Sequence, residues 1–307
     1  MSVECCPICA GALHRTRVRA FDRLVTGDGP FEVLECTACR CGVTDVTLDE
    51  ESLGRYYDRQ AYYGDYYDHQ GTMAGGVLRR AREISRRLAA RRRLRRPPFA
   101  PPPGPSGRVL DVGCGAGELL AGYHALGWAT FGVDPAEESV AAAQQRGATV
   151  QRGTLADVAW PPGSFDLVTF SHSLEHVPEP VPTLRQAAAL LVPGGRIAIE
   201  VPNWACWQRR LFGNRWAHLD VPRHVQHFSP RSLARLADEI GLEVDAIGTR
   251  SALISAAYSI HYLIAGRWEE GWRLWLAYAL GLLAFPAIWV GDRLAGGDCA
   301  WAVLVLP

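Results

Sequence analysis

The run Val109-Leu110-Asp111-Val112-Gly113-Cys114-Gly115-Ala116-Gly117 carries the strongest chemical signal in the sequence. A short apolar strand leads into three closely spaced glycines, and a helical pattern begins at Glu118. Glycines let the backbone turn tightly and approach a ligand with no Cβ in the way. A helix starting there favours a carboxylate or other anion at its N-terminus. Asp134 ends the next strand, about 20 residues on, where a carboxylate can hydrogen-bond two ribose hydroxyls.

Two other clusters could do chemistry. Six of the nine cysteines precede residue 42. Cys6 and Cys9, with Cys36 and Cys39, form two C-x2-C knuckles that can supply four thiolates in a tetrahedron, which suits zinc. Cys5 and Cys41 leave the choice of ligands open, and a redox dithiol is the alternative. Histidines form the other cluster. His176, with Glu175 beside it, follows a strand and could serve as a general base. The segment from His218 to His227 holds Asp220, Arg223, His224 and His227. It reads either as a substrate-binding loop or as a polar lid.

Elements that could position these groups follow from periodicity. Residues 1–45 read as a cysteine-rich module in which Phe31–Glu35 belongs to the hairpin of a zinc ribbon. Residues 46–106 hold a tyrosine-rich stretch, an arginine-rich helix over about 75–96 and a proline-rich linker, 97–107. From there strands alternate with helices. Strands are expected at Arg108–Val112, Thr130–Val133, Thr149–Gln151, Phe165–Ser171, Arg196–Val201, Leu242–Gly248 and Trp301–Leu306. Helices are expected at Glu118–Leu126, Ala136–Arg146, Val181–Leu191 and Pro230–Glu239. Such alternation implies a parallel α/β sheet with helices on both faces.

The spacing G-x-G-x-G after Asp111 resembles motif I of class I S-adenosylmethionine (SAM)-dependent methyltransferases. Phe165-Asp166-Leu167-Val168, Ser173-Leu174-Glu175-His176 and Leu191-Val192-Pro193-Gly194-Gly195-Arg196 resemble later segments of that family, in order. The resemblance covers 107–307 and implies a Rossmann-like seven-stranded sheet, order 3-2-1-4-5-7-6 with the last strand antiparallel. It further implies SAM held by Asp111, Gly113, Cys114, Gly115 and Gly117 at the methionine part. Asp134 and Pro135 would lie at the ribose, Thr154 and Leu155 near adenine, and Ser171 and Leu174 near the sulfonium. Asp-x-Pro-x-His at 220–224 resembles bacterial methyltransferases of sugar and polysaccharide pathways. Some of these also carry an N-terminal zinc ribbon and a tyrosine-rich stretch; here Tyr63 could stack on a substrate ring or pack between the two modules, the reading favoured slightly.

Bulk properties narrow the function. The 307 residues are 48% apolar with formal net charge zero, so no global field draws the chain to nucleic acid. The N-terminus has no positive region followed by an apolar run, so a cytoplasmic protein is expected. Residues 250–297 form an apolar insertion between the last two strands. Within it Leu274–Val290 is uncharged and flanked by tryptophan and arginine. It reads as a buried or interfacial helical hairpin, either in membrane-surface contact through 268–293 on the inner face of the cell membrane or forming a lid or dimer interface of a soluble protein. The expected activity is methyl transfer from SAM to a hydroxyl of a sugar, glycolipid or lipid-linked small molecule. A ribosomal RNA methyltransferase is the alternative, disfavoured because no Asn-Pro-Pro-Tyr type motif follows the fourth strand.

Overall fold

The computed structural model describes residues 3–46, 55–57, 92–251 and 253–307. Tyr63 and the arginine-rich helix up to residue 91 lie outside the described residues. The chain divides into two compact units that do not follow chain order. One joins the N-terminal residues to Pro202–Ser232 and Thr249–Ala300. The other joins Ala74–Val201, as far as it is described, to Leu233–Gly248 and Trp301–Pro307.

The first unit begins with β1 (Leu13–Ala20), β2 (Phe31–Cys36) and β3 (Gly42–Thr44), an antiparallel ribbon. The second includes, at 97–107, residues expected to be a plain linker. Phe99 within them is fully buried, and its carbonyl accepts a 2.7 Å bond from the Tyr123 hydroxyl. The proline-rich stretch forms no helix or strand, yet this aromatic side chain anchors it in the core.

The chain then alternates as its apolar runs require. β4 (Arg108–Val112), α1 (Glu118–His124), β5 (Ala129–Asp134), α2 (Glu137–Gln145) and β6 (Thr149–Arg152) come first. β7 (Phe165–Ser171), α3 (Pro180–Ala189) and β8 (Leu191–Pro202) follow. After β8 come α4 (Trp207–Phe212), β9 (Gln226–His227), α5 (Pro230–Ile240), β10 (Glu243–Arg250), α6 (Leu253–Ala265), α7 (Trp272–Ala295) and β11 (Cys299–Val305). α4, α6 and β9 had no expectation from the sequence.

The seven-stranded mixed sheet runs β6-β5-β4-β7-β8-β11-β10, the order expected. β4 is parallel to β5 and β7, and β8 is parallel to β7. Leu306 donates its N–H to Gly195, and Asn203 donates to Asp298 at the other end of β8, so β11 runs antiparallel to β8. Leu110, Leu120, Phe165 and Leu167 are essentially inaccessible. Each contributes about 1.5–3 kcal/mol of burial, which fixes the sheet that carries the glycine turn.

β9 extends the N-terminal ribbon instead. Gly42 pairs with His227 and Val43 with Gln226. Trp204 lies within van der Waals reach of any Cβ at Gly42, and its indole N–H donates to Glu35 at 2.8 Å. The apolar insertion is a helix pair, α6 and α7. α7 continues through Pro286 as a single 24-residue helix, longer than the uncharged stretch alone.

Candidate functional site

The glycine turn connects β4 to α1 and is built from backbone that only glycine tolerates easily. Gly113, Gly115 and Gly117 have φ of 73°, 50° and 76°. Two of them are fixed by packing. A Cβ at Gly113 would fall 2.5 Å from the Ser173 Cβ, and one at Gly117 would fall 2.8 Å from the Ala143 Cβ. Gly115 differs, because a Cβ there would meet no protein atom within 4 Å. Its open side is where a ligand can lie against bare backbone.

The Asp134 carboxylate holds the turn from β5. It accepts N–H bonds from Gly115 at 2.8 Å and Ala136 at 2.9 Å. A carboxylate has about four acceptor sites, so capacity remains for ribose hydroxyls. Burial pushes its pKa up, against the pull of those two N–H bonds. Asp111 is buried beneath the turn and accepts 2.6 Å from the Thr169 hydroxyl. Burial outweighs that bond and pushes its carboxyl up to about 7. A cationic group such as an amino acid's ammonium beside it would favour ionisation. These features fit SAM: a glycine cradle, a ribose-facing acid and a second acid for the amino group.

Other residues expected at the cofactor hold varied positions. Pro135 is exposed next to Asp134. The Cys114 side chain points inward, where a Cβ on Gly132 would meet its sulfur at 2.7 Å, so only its backbone can line a ligand. Thr154 spends both its N–H and its hydroxyl on Asp157, each at 2.7 Å. Leu155 and Leu174 are buried core residues that support the β6 and β7 loops from beneath. Leu174 therefore does not line an open pocket.

A polar cluster occupies the carboxyl ends of β7 and β8, the edge where open α/β sheets bind ligands. Arg93 donates to the Ser171 hydroxyl at 2.9 Å and to Glu200 at 3.0 Å. His172 sits between two buried carboxylates, with Nδ1 3.4 Å from Glu175 and Nε2 3.5 Å from Glu200. Its φ is 57°, an uncommon conformation for a residue with a side chain, and its N–H is held by the Glu200 carbonyl at 2.8 Å. His176, the base expected from sequence, is half-buried in the turn after Leu174. Sequence reasoning passed over His172, Arg93 and Glu200. Their types signalled only charge, whereas a positive φ and parallel strand ends bring them together. A surface cleft by Arg108, Trp128 and Asp166 lies at the opposite end of β4.

The substrate expectation for the 218–227 segment needs correction. Arg223 is fully buried and donates to Asp22 at 2.7 Å, to Asp220, and to the Tyr56 carbonyl at 3.0 Å. Its guanidinium holds unit one together, and its charge is neutralised there. His227 is likewise internal, bonded to the Thr44 hydroxyl at 3.0 Å and stacked 5.1 Å from Trp204. His224 is buried with Nδ1 2.9 Å from the His218 carbonyl, and Asp220 is tied to Arg223.

The four cysteines converge in unit one. Cys6, Cys9, Cys36 and Cys39 place their sulfurs within 4.8 Å of one another, with Cys6–Cys39 and Cys9–Cys36 at 3.5 Å. A zinc tetrahedron with bonds of about 2.3 Å has sulfurs about 3.8 Å apart. The two knuckles repeat one geometry. Ala10 and Arg40 both have positive φ, and each donates to the first cysteine of its knuckle. Cys6 and Cys36 each donate to the carbonyl five residues on. The Cys39 hydrogen bond holds the Cys6 thiol down to about 5. Cys41 points away, toward the His227 carbonyl at 3.4 Å, and Cys5 is exposed.

Comparison with known proteins agrees with this geometry. A family model described as "Methyltransferase domain" matches residues 79–247. The chain is 30% identical over 178 residues to a ubiquinone biosynthesis O-methyltransferase of Xanthomonas euvesicatoria pv. vesicatoria, spanning 51% of this chain and 74% of that one. It is 32% identical over 182 residues to the protein of that name from Bordetella bronchiseptica, spanning 52% and 75%. Among solved structures, a SAM-dependent methyltransferase of Archaeoglobus fulgidus aligns with TM-score 0.50 and 21% identity, over 76% of this chain and all of that one. Magnesium protoporphyrin IX methyltransferase of Synechocystis PCC 6803 aligns with TM-score 0.51 and 14% identity, over 84% and 100%. The chain belongs to the SAM-dependent methyltransferases of the class I fold.

Proposed function

We propose that the protein methylates a hydroxyl of a small acceptor, a sugar or a lipid-linked intermediate. The observation that carries this reading is His172, held between Glu175 and Glu200 at the ligand edge of the sheet. The relatives named as O-methyltransferases support hydroxyl chemistry.

SAM, when bound, supplies an electrophilic methyl group on a sulfonium. The turn at Gly113–Gly117 and Asp134 would hold the cofactor, with Asp111 as the acid for its amino group. Placing the acceptor oxygen in line with that methyl supplies most of the rate. The acceptor hydroxyl must also lose its proton. His172 would take it at the ring nitrogen where the acceptor hydroxyl replaces a carboxylate contact, and the carboxylate left at the other nitrogen would stabilise the imidazolium that forms, as an oriented acid does in other imidazole bases. His176 is the second imidazole available, with Glu175 beside it in sequence. The four-cysteine cluster binds zinc in a structural role, since four thiolates leave no open position for a substrate.

Incubation of the pure protein with methyl-labelled SAM and host lysate tests the reading. The extract is then separated into organic-soluble lipid, water-soluble small molecules, RNA and protein. Label in lipid or sugar fractions, abolished by His172→Asn, supports it. Label in RNA or protein overturns it.

A further inference from the structure

We infer that one face of α7 is a docking surface for an anionic lipid bilayer, on which unit one lies in the plane of the interface. The inference is independent of the acceptor proposed above.

The helix is two-sided. Leu274, Ala277, Ile288 and Asp292 are buried, and Gly281 packs on Ala257 of α6. These positions fall three, four or seven residues apart and make the inner stripe. Asp292, the acid within α7, points inward and accepts 2.7 Å from the Trp207 indole and 3.1 Å from Gln208. The opposite stripe is apolar and open along the whole helix, which is about 36 Å long at 1.5 Å per residue. Trp272, Trp275, Leu282, Leu283 and Leu294 are each at least 70% exposed, and Trp289 is exposed near the far end. Large side chains of about 150–250 Å² at these exposures make a patch on the order of 1,000 Å². Monomeric proteins rarely leave more than a few hundred Å² of contiguous apolar surface open.

The chemistry of the patch selects the occupant. Between Trp275 and Trp289 the outward stripe offers no hydrogen-bonding side chain, and the Tyr278 hydroxyl lies 3.5 Å from that of Tyr258. A protein interface of that area carries about one hydrogen bond per 100–200 Å², whereas a bilayer asks for none. Tryptophan stands at both margins, as at membrane–water boundaries. Cations stand there too: Arg273 over the Trp272 ring, and Arg293 over the Trp289 ring at 3.8 Å. Arg273 also pairs with Glu269 at 3.0 Å, and the Arg293 cation suits anionic headgroups. Because the other side of α7 is committed to protein, the helix lies on the bilayer and does not cross it.

The test is flotation of the full-length protein with vesicles of phosphatidylcholine, with and without phosphatidylglycerol. The expected result is co-flotation with the anionic vesicles that weakens in 1 M salt. The double variant Leu282→Glu, Leu283→Glu should partition roughly 10-fold or more less well while keeping its SAM affinity. Three results overturn the inference. One is a wild type that stays at the bottom of the gradient with every vesicle. Another is a variant that floats as well as the wild type. The third is a wild-type dimer, seen by light scattering, that the variant splits without any vesicle binding. That last result would assign the stripe to a second copy of the chain.

Discussion

Replacing Gly115 by alanine should separate cofactor binding from folding. A Cβ at this position meets no protein atom within 4 Å, so the change creates no internal clash. Its φ of 50° still lies in the left-handed region, which costs a residue with a Cβ about 1–2 kcal/mol. The stiffer unfolded chain returns about 0.4–1 kcal/mol. The net loss is about 1 kcal/mol, or roughly 2–4 °C in Tm. The new methyl enters the space the cofactor needs, and overpacking of that kind costs about 1–3 kcal/mol, a roughly 5- to 150-fold weaker SAM affinity. Gly113→Ala is the contrast. Its Cβ would fall 2.5 Å from that of Ser173, so its Tm should fall much further. Calorimetric titration with SAM and thermal melts of both variants check the reasoning. An unchanged SAM affinity in Gly115→Ala would refute the placement of the cofactor against this turn.

Other predictions concern the remaining groups. The protein should carry about one zinc ion per chain; Cys36→Ser should lose it and destabilise unit one, while Cys41→Ser keeps it, as measured by metal analysis of the purified proteins. His172→Asn keeps a residue that tolerates positive φ and should lower kcat by about 10²–10⁴-fold with little change in Tm; a loss seen only in His176→Ala would move the base to that residue. Burial alone would lower the pKa of His218, but Asp298 and Cys299 outweigh it and push it up to about 10. Its stabilising contribution is therefore whole below pH 6.5 and is lost as pH rises through 10, so Tm should fall across that window and His218→Gln should flatten the fall.

The sheet was legible because its strands are buried on both faces and read as short apolar runs, as at Val109–Val112 and Phe165–Phe170. The glycine turn was legible because backbone that must run at positive φ leaves glycine as its mark. The cysteine quartet was readable from its spacing, since ligands three positions apart on a turn face one point. Long-range pairing was not. β9 is two residues long, and nothing in Gln226-His227 marks it as the fourth strand of a ribbon built near residue 40. The same limit misassigned Arg223 and His227: an arginine or histidine in a polar run looks catalytic until its partner, Asp22 or Thr44, is seen beside it. His172 failed in the opposite direction. Its carboxylate partner Glu200 lies on the neighbouring strand, 28 positions away, where no local pattern links them.

In the proposed reaction a methyl group from SAM reaches an oxygen whose proton is taken by the imidazole between Glu175 and Glu200. The most direct measurement is carbon NMR of the product formed with ¹³C-methyl SAM and the isolated acceptor fraction. The expected spectrum shows a single new methyl carbon bonded to oxygen, absent from the His172→Asn reaction. A methyl carbon bonded to nitrogen or carbon, or a product formed equally well without His172, would contradict it.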